Sequence, residues 1–369
     1  MVKQTWWKFI CVGLLLYALS FGLLNPLKHG IKDVAPDRIE AGTKAVLTVS
    51  AYNAHYVSQS GALSAYLKYN PPSDSKDKNQ YLLKALSVKP ISDNQIELEF
   101  HVPQFLPDSR PLALFSVIVD SPIDGAAAIP SKIIIHQNRP SLEEGIRLWS
   151  MDQHPDFHQA KASLFPYRNI LVETIRNTFY HVSLWFAMFL MFGMSVFYSY
   201  RVLKYNDSDA DLRSYALVRT GFFFGLLGCL TGSLWAKYTW ETWWTTDIKL
   251  NMAALTMLIY LAYMVLRASM DDLDRKARIS SAYNIFALVA VIPLIFVLPR
   301  LTDSLHPGNG GNPAFGSQDM DNSLRIVFYP AVLGFMLLGL WIASLVYRVD
   351  AIAARMDEKD DELHTKFID

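Results

Sequence analysis

The sequence predicts a mainly α-helical membrane protein, a bundle of six transmembrane helices with an extracytoplasmic β-sandwich-like domain inserted after the first. Three observations predict it. Six apolar runs are each close to the twenty or so residues a helix needs to cross a bilayer. Lysines and arginines crowd into alternate connections between those runs. The long stretch over residues 25–180 has no such run and alternates apolar with polar residues instead. Composition agrees, because 51% hydrophobic residues alongside 18% charged ones implies membrane spans joined to a soluble part. The formal net charge is zero, which leaves no electrostatic footprint for nucleic acid and excludes it as a partner.

The spans are read in order as Trp6–Leu24, His181–Val202, Ala216–Leu234, Ile248–Leu266, Ala282–Leu298 and Ile326–Val346. Lys3 and Lys8, the group from Arg201 to Arg219, the group from Arg267 to Arg278, and Arg348, Arg355, Lys359 and Lys366 all fall on one side. The opposite short loops carry only Lys237, Lys249, Arg300 and Arg325. By the positive-inside rule both termini are cytoplasmic, in a cytoplasmic (inner) membrane, and the loops Trp235–Asp247 and Leu301–Ser323 face outward. The chain then divides into a first span at 1–26, a β-rich domain at 27–165, an interfacial helix at 166–180, a five-helix membrane domain at 181–348 and a cytoplasmic tail at 349–369. The first span is read as an uncleaved signal anchor, since Asn25-Pro26-Leu27-Lys28 makes a poor cleavage site; a site ending at Ser20 is the alternative.

Strands are expected at Lys44–Tyr52, Ala62–Tyr69, Tyr81–Ser87, Gln95–Val102, Leu112–Val119 and Lys132–His136. The run Gln95-Ile96-Glu97-Leu98-Glu99-Phe100 has the period of two that marks a strand with one wet face. Turn residues at Pro71–Asp74 and Ser121–Gly125 separate strands, and several short strands so punctuated predict a sandwich. Beyond Pro140, Ser141–Trp149 and Tyr167–Phe179 read as helices, the second lying along the membrane surface. The charged tail from Met356 reads as a short solvated helix or a disordered end.

Chemistry concentrates in Trp235–Leu250, where Trp235, Trp240, Trp243 and Trp244 crowd one external connection. An interfacial aromatic belt is one reading. A flat apolar platform for a planar conjugated ligand is the other, because a belt places fewer aromatics at each helix end. His181, at the outer end of the second span, and His306, in the last external loop, come to the same face and could serve as axial ligands to a haem iron. Asp247 precedes a span and suits an N-cap. Lys237, Lys249 and Arg325 are candidate partners for anionic substituents of the ligand, or simply helix anchors.

Thr231-Gly-Ser-Leu-Trp235 through Trp243-Trp244 to Asp247 resembles the tryptophan-rich WWD signature of the haem-handling superfamily that comprises CcmC, CcmF and the CcsA synthases. His181-Val-Ser-Leu-Trp and Ser304-Leu-His306-Pro resemble the histidine motifs on either side of it. The resemblance covers about His181 to Tyr347, and with the first span added the layout is similar to CcmC. It implies that His181 and His306 ligate a transient, non-covalent haem b while the tryptophan segment holds the porphyrin. It also implies hand-over to a haem chaperone of the CcmE type beside an ABC-type complex, with an apocytochrome c as a further acceptor. Ala236 and Glu241 stand where the family usually has glycine, Thr246 where it has an aromatic residue, and Lys249 where it has arginine.

The leading reading is therefore a carrier, not an enzyme. A haem lyase and a small-solute transporter are the competing ones. Gly221, Gly225, Gly228 and Gly232 in the third span are read as a close-packing stripe, not a transport site. Cys11 and Cys229 lie in apolar runs and form no C-x-x-C pair, so they are read as small buried residues. His154 and His158 have a ligand-like spacing that Pro155 weakens, and His29, His55, His101 and His136 read as surface or satisfied polar residues.

Overall fold

The computed structural model describes residues 5–72, 79–151, 153–302, 304–306 and 320–368. The expected turn residues Ser73 and Asp74, and residues 303 and 307–319 of the expected last outer loop, lie outside them. The chain forms two compact units, Pro26–Val172, and Met1–Asn25 together with Glu173–Asp369.

The first of these is β-rich. Its described residues contain β1 (Gly30–Ala35), β2 (Arg38–Glu40), β3 (Lys44–Tyr52), β4 (Ser64–Asn70), β5 (Leu82–Lys84), β6 (Ser87–Ser92), β7 (Gln95–His101), β8 (Leu112–Asp120), β9 (Ala127–His136) and the α-helix α2 (Leu142–Trp149). Two sheets form, in the orders β1-β3-β7-β6 and β2-β9-β8-β4-β5. Alternation decides which side chains are inside: Ile96, Leu98 and Phe100 of β7 are fully buried while Glu97 and Glu99 between them are not. Leu47 and Val49 of β3 join them from the same sheet. Leu67, Phe115, Val117, Ile133 and Ile135 come from the other sheet, so one apolar core draws on both. Strands β1, β2 and β6 had not been expected, and β9 begins five residues earlier than expected.

Helix α2 closes this core through Trp149, which is fully buried against Phe115 at 4.6 Å between centroids and donates from Nε1 to the Phe105 carbonyl. Gly145 permits that docking, because a Cβ there would stand 1.9 Å from the Leu106 carbonyl oxygen. Alanine usually gains up to about 1 kcal/mol over glycine inside a helix. Here the backbone clash wins, and Gly145→Ala is expected to cost roughly 2 kcal/mol as overpacking. Hydrogen exchange of the α2 and β8 amides, accelerated by roughly 30-fold, checks it.

The second unit contains α1 (Trp6–Leu24), α3 (Ser183–Tyr205), α4 (Ser208–Trp240), α5 (Ile248–Ala268), α6 (Leu273–Ile292) and α7 (Asn322–Ile368). Among the described residues six helices are long and apolar enough to cross a membrane, with bounds Trp6–Leu24, Val172–Tyr205, Ser208–Trp240, Ile248–Ala268, Leu273–Arg300 and Asn322–Met356. The chain is thus a multi-pass membrane protein. Several helices outrun their apolar runs because polar residues cap and extend them. Asp207 accepts from the Ala210 amide to start α4, Asp272 does the same for α6 through Arg275, and Asn206 takes the left-handed turn that ends α3.

The surface helix expected over Tyr167–Phe179 is corrected. Residues 166–171 form no helix, and from Val172 a 3₁₀ turn and then a π turn (Thr178–Val182) run directly into α3. The tail takes the helical of its two expected forms, not as a separate short helix but as the continuation of α7 to Ile368. Deep in the bundle Asn284 of α6 donates to the hydroxyls of Ser195 and Ser199 on α3, and Ser214 of α4 bonds Ser199, a polar weld between three helices. Near one end Arg267 of α5, 6% exposed, forms a two-pronged pair with Asp211 of α4.

Candidate functional site: a histidine and aromatic cavity at one end of the bundle

The placement of the site begins with the glycine stripe of α4. At Gly221, Gly228 and Gly232 an added Cβ would fall within 3 Å of Phe192, Trp185 and His181 respectively. All three partners lie on the α3 segment, so the stripe is the groove that receives it, and His181 rests against bare backbone. His181 lies in the π turn before α3. Its Nδ1 is 3.1 Å from the Thr231 hydroxyl, whose own proton is donated to the Leu227 carbonyl. Nδ1 therefore carries the ring proton, and Nε2 keeps its lone pair. Trp185 and Trp235 stand edge-on to the imidazole at 6.2 and 5.8 Å between centroids, and Trp235 is oriented by its Nε1–H bond to Thr174.

His306 is held by Asp247. The Asp247 carboxylate caps α5 through the Lys249 amide, accepts the Leu305 amide at 2.7 Å, and takes the His306 Nδ1–H at 3.1 Å. Its side chain is only 1% exposed. Burial alone would raise its pKa, but the donors from Leu305, Ser304, Lys249 and His306 outweigh that and hold the carboxyl below the ordinary range. Burial pushes the His306 imidazole down from its ordinary value, against the pull of Asp247, so the ring is neutral at pH 7 with Nε2 unprotonated. Trp240 packs edge-on against it at 4.9 Å.

Between the two histidines lies a cavity of about 300 Å³. His181, His306, Trp244 and Lys249 line it, together with Trp185, Phe186 and Phe189 of α3, Gly228 and Gly232 of α4, and Ile295 and Phe296 of a second π turn, Pro293–Val297, that follows α6. Two π turns thus border one cavity, and such widened turns recur at functional sites.

Of the ten residues singled out from sequence, these four meet in the cavity. Trp235 and Trp240 back the two histidines, and Asp247 orients His306. Trp243 is exposed and outside the lining, Lys237 is exposed and bonds the Glu241 carbonyl, and Arg325 lies on the first turn of α7 near Asn322. The tryptophan segment is also not one loop. Trp235 and Trp240 belong to α4, which ends with Glu241 in a left-handed cap, leaving only seven residues, 241–247, before α5. Sequence reasoning passed over Trp185 and the phenylalanines as site walls, because apolar residues in a span are read by default as facing lipid, and over Thr231 as the residue that orients His181, because that contact is made only by packing.

Gly232→Ala tests the close approach. A Cβ 2.7 Å from the His181 ring must displace it, and the Thr231 bond gives the ring little freedom to yield. The variant is expected to bind the cavity's ligand about 10-fold more weakly, as is typical when the orientation of a metal-ligating histidine is disturbed. Gly193→Ala, with nothing within 4 Å, is expected to leave binding unchanged.

Fold and site together define a multi-pass membrane protein with a histidine-flanked aromatic cavity at one end of its bundle. The family model CcmC, heme exporter protein C, matches residues 166–362, and the chain belongs to that family of cytochrome c biogenesis proteins. It is 28% identical over 188 residues to heme exporter protein C of Bradyrhizobium diazoefficiens, covering 50% of this chain and 69% of that one. Against heme exporter protein C of Escherichia coli K12 it is 28% identical over 138 residues, 37% of this chain and 54% of the relative. Cytochrome c biogenesis protein CcsA of Prochlorococcus marinus is 31% identical over 84 residues, 23% of this chain and 27% of the relative. The β-rich unit, residues 26–172, lies almost wholly outside the family match.

Proposed function

We propose that this protein is a haem carrier of cytochrome c maturation, holding haem b non-covalently in the bundle cavity and passing it on without making or breaking a bond in it. One observation carries the reading: two histidines, each with Nδ1 anchored, line a single aromatic cavity. An imidazole fixed through Nδ1 offers Nε2 to a metal, and a porphyrin supplies the four remaining equatorial ligands itself. The indole and phenyl walls suit its apolar faces. Lys249, a lysine among the described lining residues, suits a propionate; Lys237 and Arg325, outside that lining, have a weaker claim.

The names of the relatives support haem as the cargo. The word exporter in those names also supports a setting beside an ABC-type export complex; a chaperone of the CcmE type or an apocytochrome c is the acceptor that this reading adds. The charge asymmetry of the loops supports a cytoplasmic membrane, cytoplasmic termini and an outward-facing site. Two sheets sharing one core support a β-sandwich for the inserted unit.

The test is direct. The protein, purified in detergent and supplied with haem, is expected to show the Soret and α/β bands of histidine-ligated iron at one equivalent per cavity, and to lose them to an added acceptor. A protein with no haem band after reconstitution overturns the reading, and haem that no acceptor removes overturns the carrier role.

A further inference from the structure

One end of the sheet β1-β3-β7-β6 holds a cavity of about 330 Å³, wholly within the β-rich unit and lined by Lys32, Ala51, Tyr52, Asn53 and Asn94. Irregularities of the backbone build it. Strand β1 pairs Ile31 with Ala51 and Asp33 with Ser50, so Lys32 opposes no residue of β3 and forms a bulge, a device that re-aims a side chain. Its Nζ stands 5.4 Å from the centre of the Tyr52 ring. Asn53, just after β3, sits in the left-handed region at φ 51°, which asparagine tolerates better than most residues. Asn94 lies in the tight turn between β6 and β7. Tyr167 stacks on Tyr52 at 5.4 Å between centroids and fills the notch at Gly30, where a Cβ would stand 1.9 Å from its ring.

The hydrogen bonds already made decide what the cavity can still offer. Asn94 Oδ1 accepts the Ala54 amide at 3.2 Å, and a backbone N–H can only donate, so the hydrogens of Asn94 Nδ2 remain for a ligand. Asn53 Nδ2 donates to the Leu27 carbonyl at 2.6 Å, a group that only accepts, which leaves Asn53 Oδ1 as an acceptor. Among the described residues neither of these remaining atoms, nor Lys32 Nζ, has a hydrogen-bond or ion-pair partner. The neighbouring carboxylates are engaged otherwise: Asp33 pairs with Lys132 at 2.8 Å, and Asp93 accepts the Val57 amide. An ammonium brings three donor hydrogens and an amide two, against the single acceptor of Asn53. The ligand is therefore an anion rich in acceptors. The three oxygens of a phosphate suit that donor set better than the two of a carboxylate.

We infer that this cavity binds a small hydroxylated phosphate, with the phosphate between Lys32 and Asn94 and a hydroxyl donating to Asn53 Oδ1. A free sugar or polyol phosphate and the glycerophosphate headgroup of a lipid share this chemistry. The site is separate from the bundle cavity and does not depend on haem being its cargo, so the inserted unit has a ligand of its own.

The experiment uses the full chain in detergent, titrated calorimetrically with glycerol 3-phosphate, with glycerol as the uncharged control. Saturable binding of the phosphate and none of glycerol is expected. Lys32→Met is expected to weaken it about 10-fold or more, the size of a lost hydrogen bond to a charged group. Asn94→Asp keeps an oxygen for the Ala54 amide and the shape of the residue, but puts negative charge where the donor was, and is expected to abolish binding. Unchanged circular dichroism and thermal unfolding of that variant separate a lost ligand from a lost fold. Lys89→Met, at an exposed lysine of edge strand β6 outside the lining, is expected to change nothing. Nanodiscs then separate the two sources. Glycerol 3-phosphate that binds in phosphatidylcholine nanodiscs but is displaced in phosphatidylglycerol ones assigns the site to a lipid headgroup, and equal binding in both assigns it to a soluble phosphate. No saturable binding at millimolar probe overturns the inference, as does binding that Lys32→Met and Asn94→Asp leave unchanged.

Discussion

If the bundle cavity carries haem as proposed, alanine at His181 or at His306 is expected to abolish that binding, with affinity falling by more than about 100-fold for either variant. The size follows from what each ring does. Disturbing a residue that merely orients a metal ligand costs roughly 10–100-fold, so losing the ligand costs more. Among the described cavity-lining residues only these two carry an imidazole, so neither ring has a substitute there. The walls survive the change: Trp185 and Trp244 remain, so weak apolar retention of porphyrin without histidine-ligated bands is the expected residue of binding. Trp243→Ala supplies the contrast, for that indole is 57% exposed and outside the lining, and its variant is expected to bind normally. Visible spectra of the three purified variants decide it. A His306→Ala spectrum equal to the unsubstituted one would remove the ring from the site.

How much of this was legible beforehand follows from what kind of signal each part leaves. The six spans were readable because a bilayer imposes length and apolarity on a contiguous run, and Trp6–Leu24 was bounded as the structure has it. Helix ends were not, since α4 begins at Ser208 through a cap by Asp207 and continues to Trp240 past the apolar run. Among the strands, β3 and β7 announce themselves by alternation with one buried face. Strand β6 does not, because Pro90 interrupts it, a residue tolerated there because β6 is the edge of its sheet. Strand β2 is three residues long and pairs in parallel with β9, a partner almost a hundred residues away that no local pattern reveals.

The site divides the same way. His181 and His306 stood out through their motifs and their common membrane face. That Asp247 reaches across to His306, and Thr231 to His181, is a matter of packing, and the tryptophan cluster alone would have overvalued Trp243 and undervalued Trp185.

Asp247 is where these threads meet, and its loss is the second large effect. Asp247→Ala removes three things at once. The cap on α5 goes, at about 1 kcal/mol. The Leu305 amide loses its buried acceptor, at about 1–3 kcal/mol. His306 loses the partner that fixes its tautomer and direction, which is expected to weaken the proposed haem binding by roughly 10–100-fold. Asp247→Asn keeps an acceptor for Nδ1–H while removing the charge. Its one oxygen can still accept from the Lys249 amide and from Nδ1–H, but its NH2 group then faces the Leu305 N–H, so stability should recover only in part. The charge that strengthens the imidazole as a ligand does not return, and haem affinity should recover only in part. Thermal unfolding and hemin titration are therefore both expected to place Asn between the native protein and Ala. Equal haem affinity in Asn and native protein would mean that Asp247 acts on the iron ligand through geometry alone, and that its buried charge serves only the helix it caps.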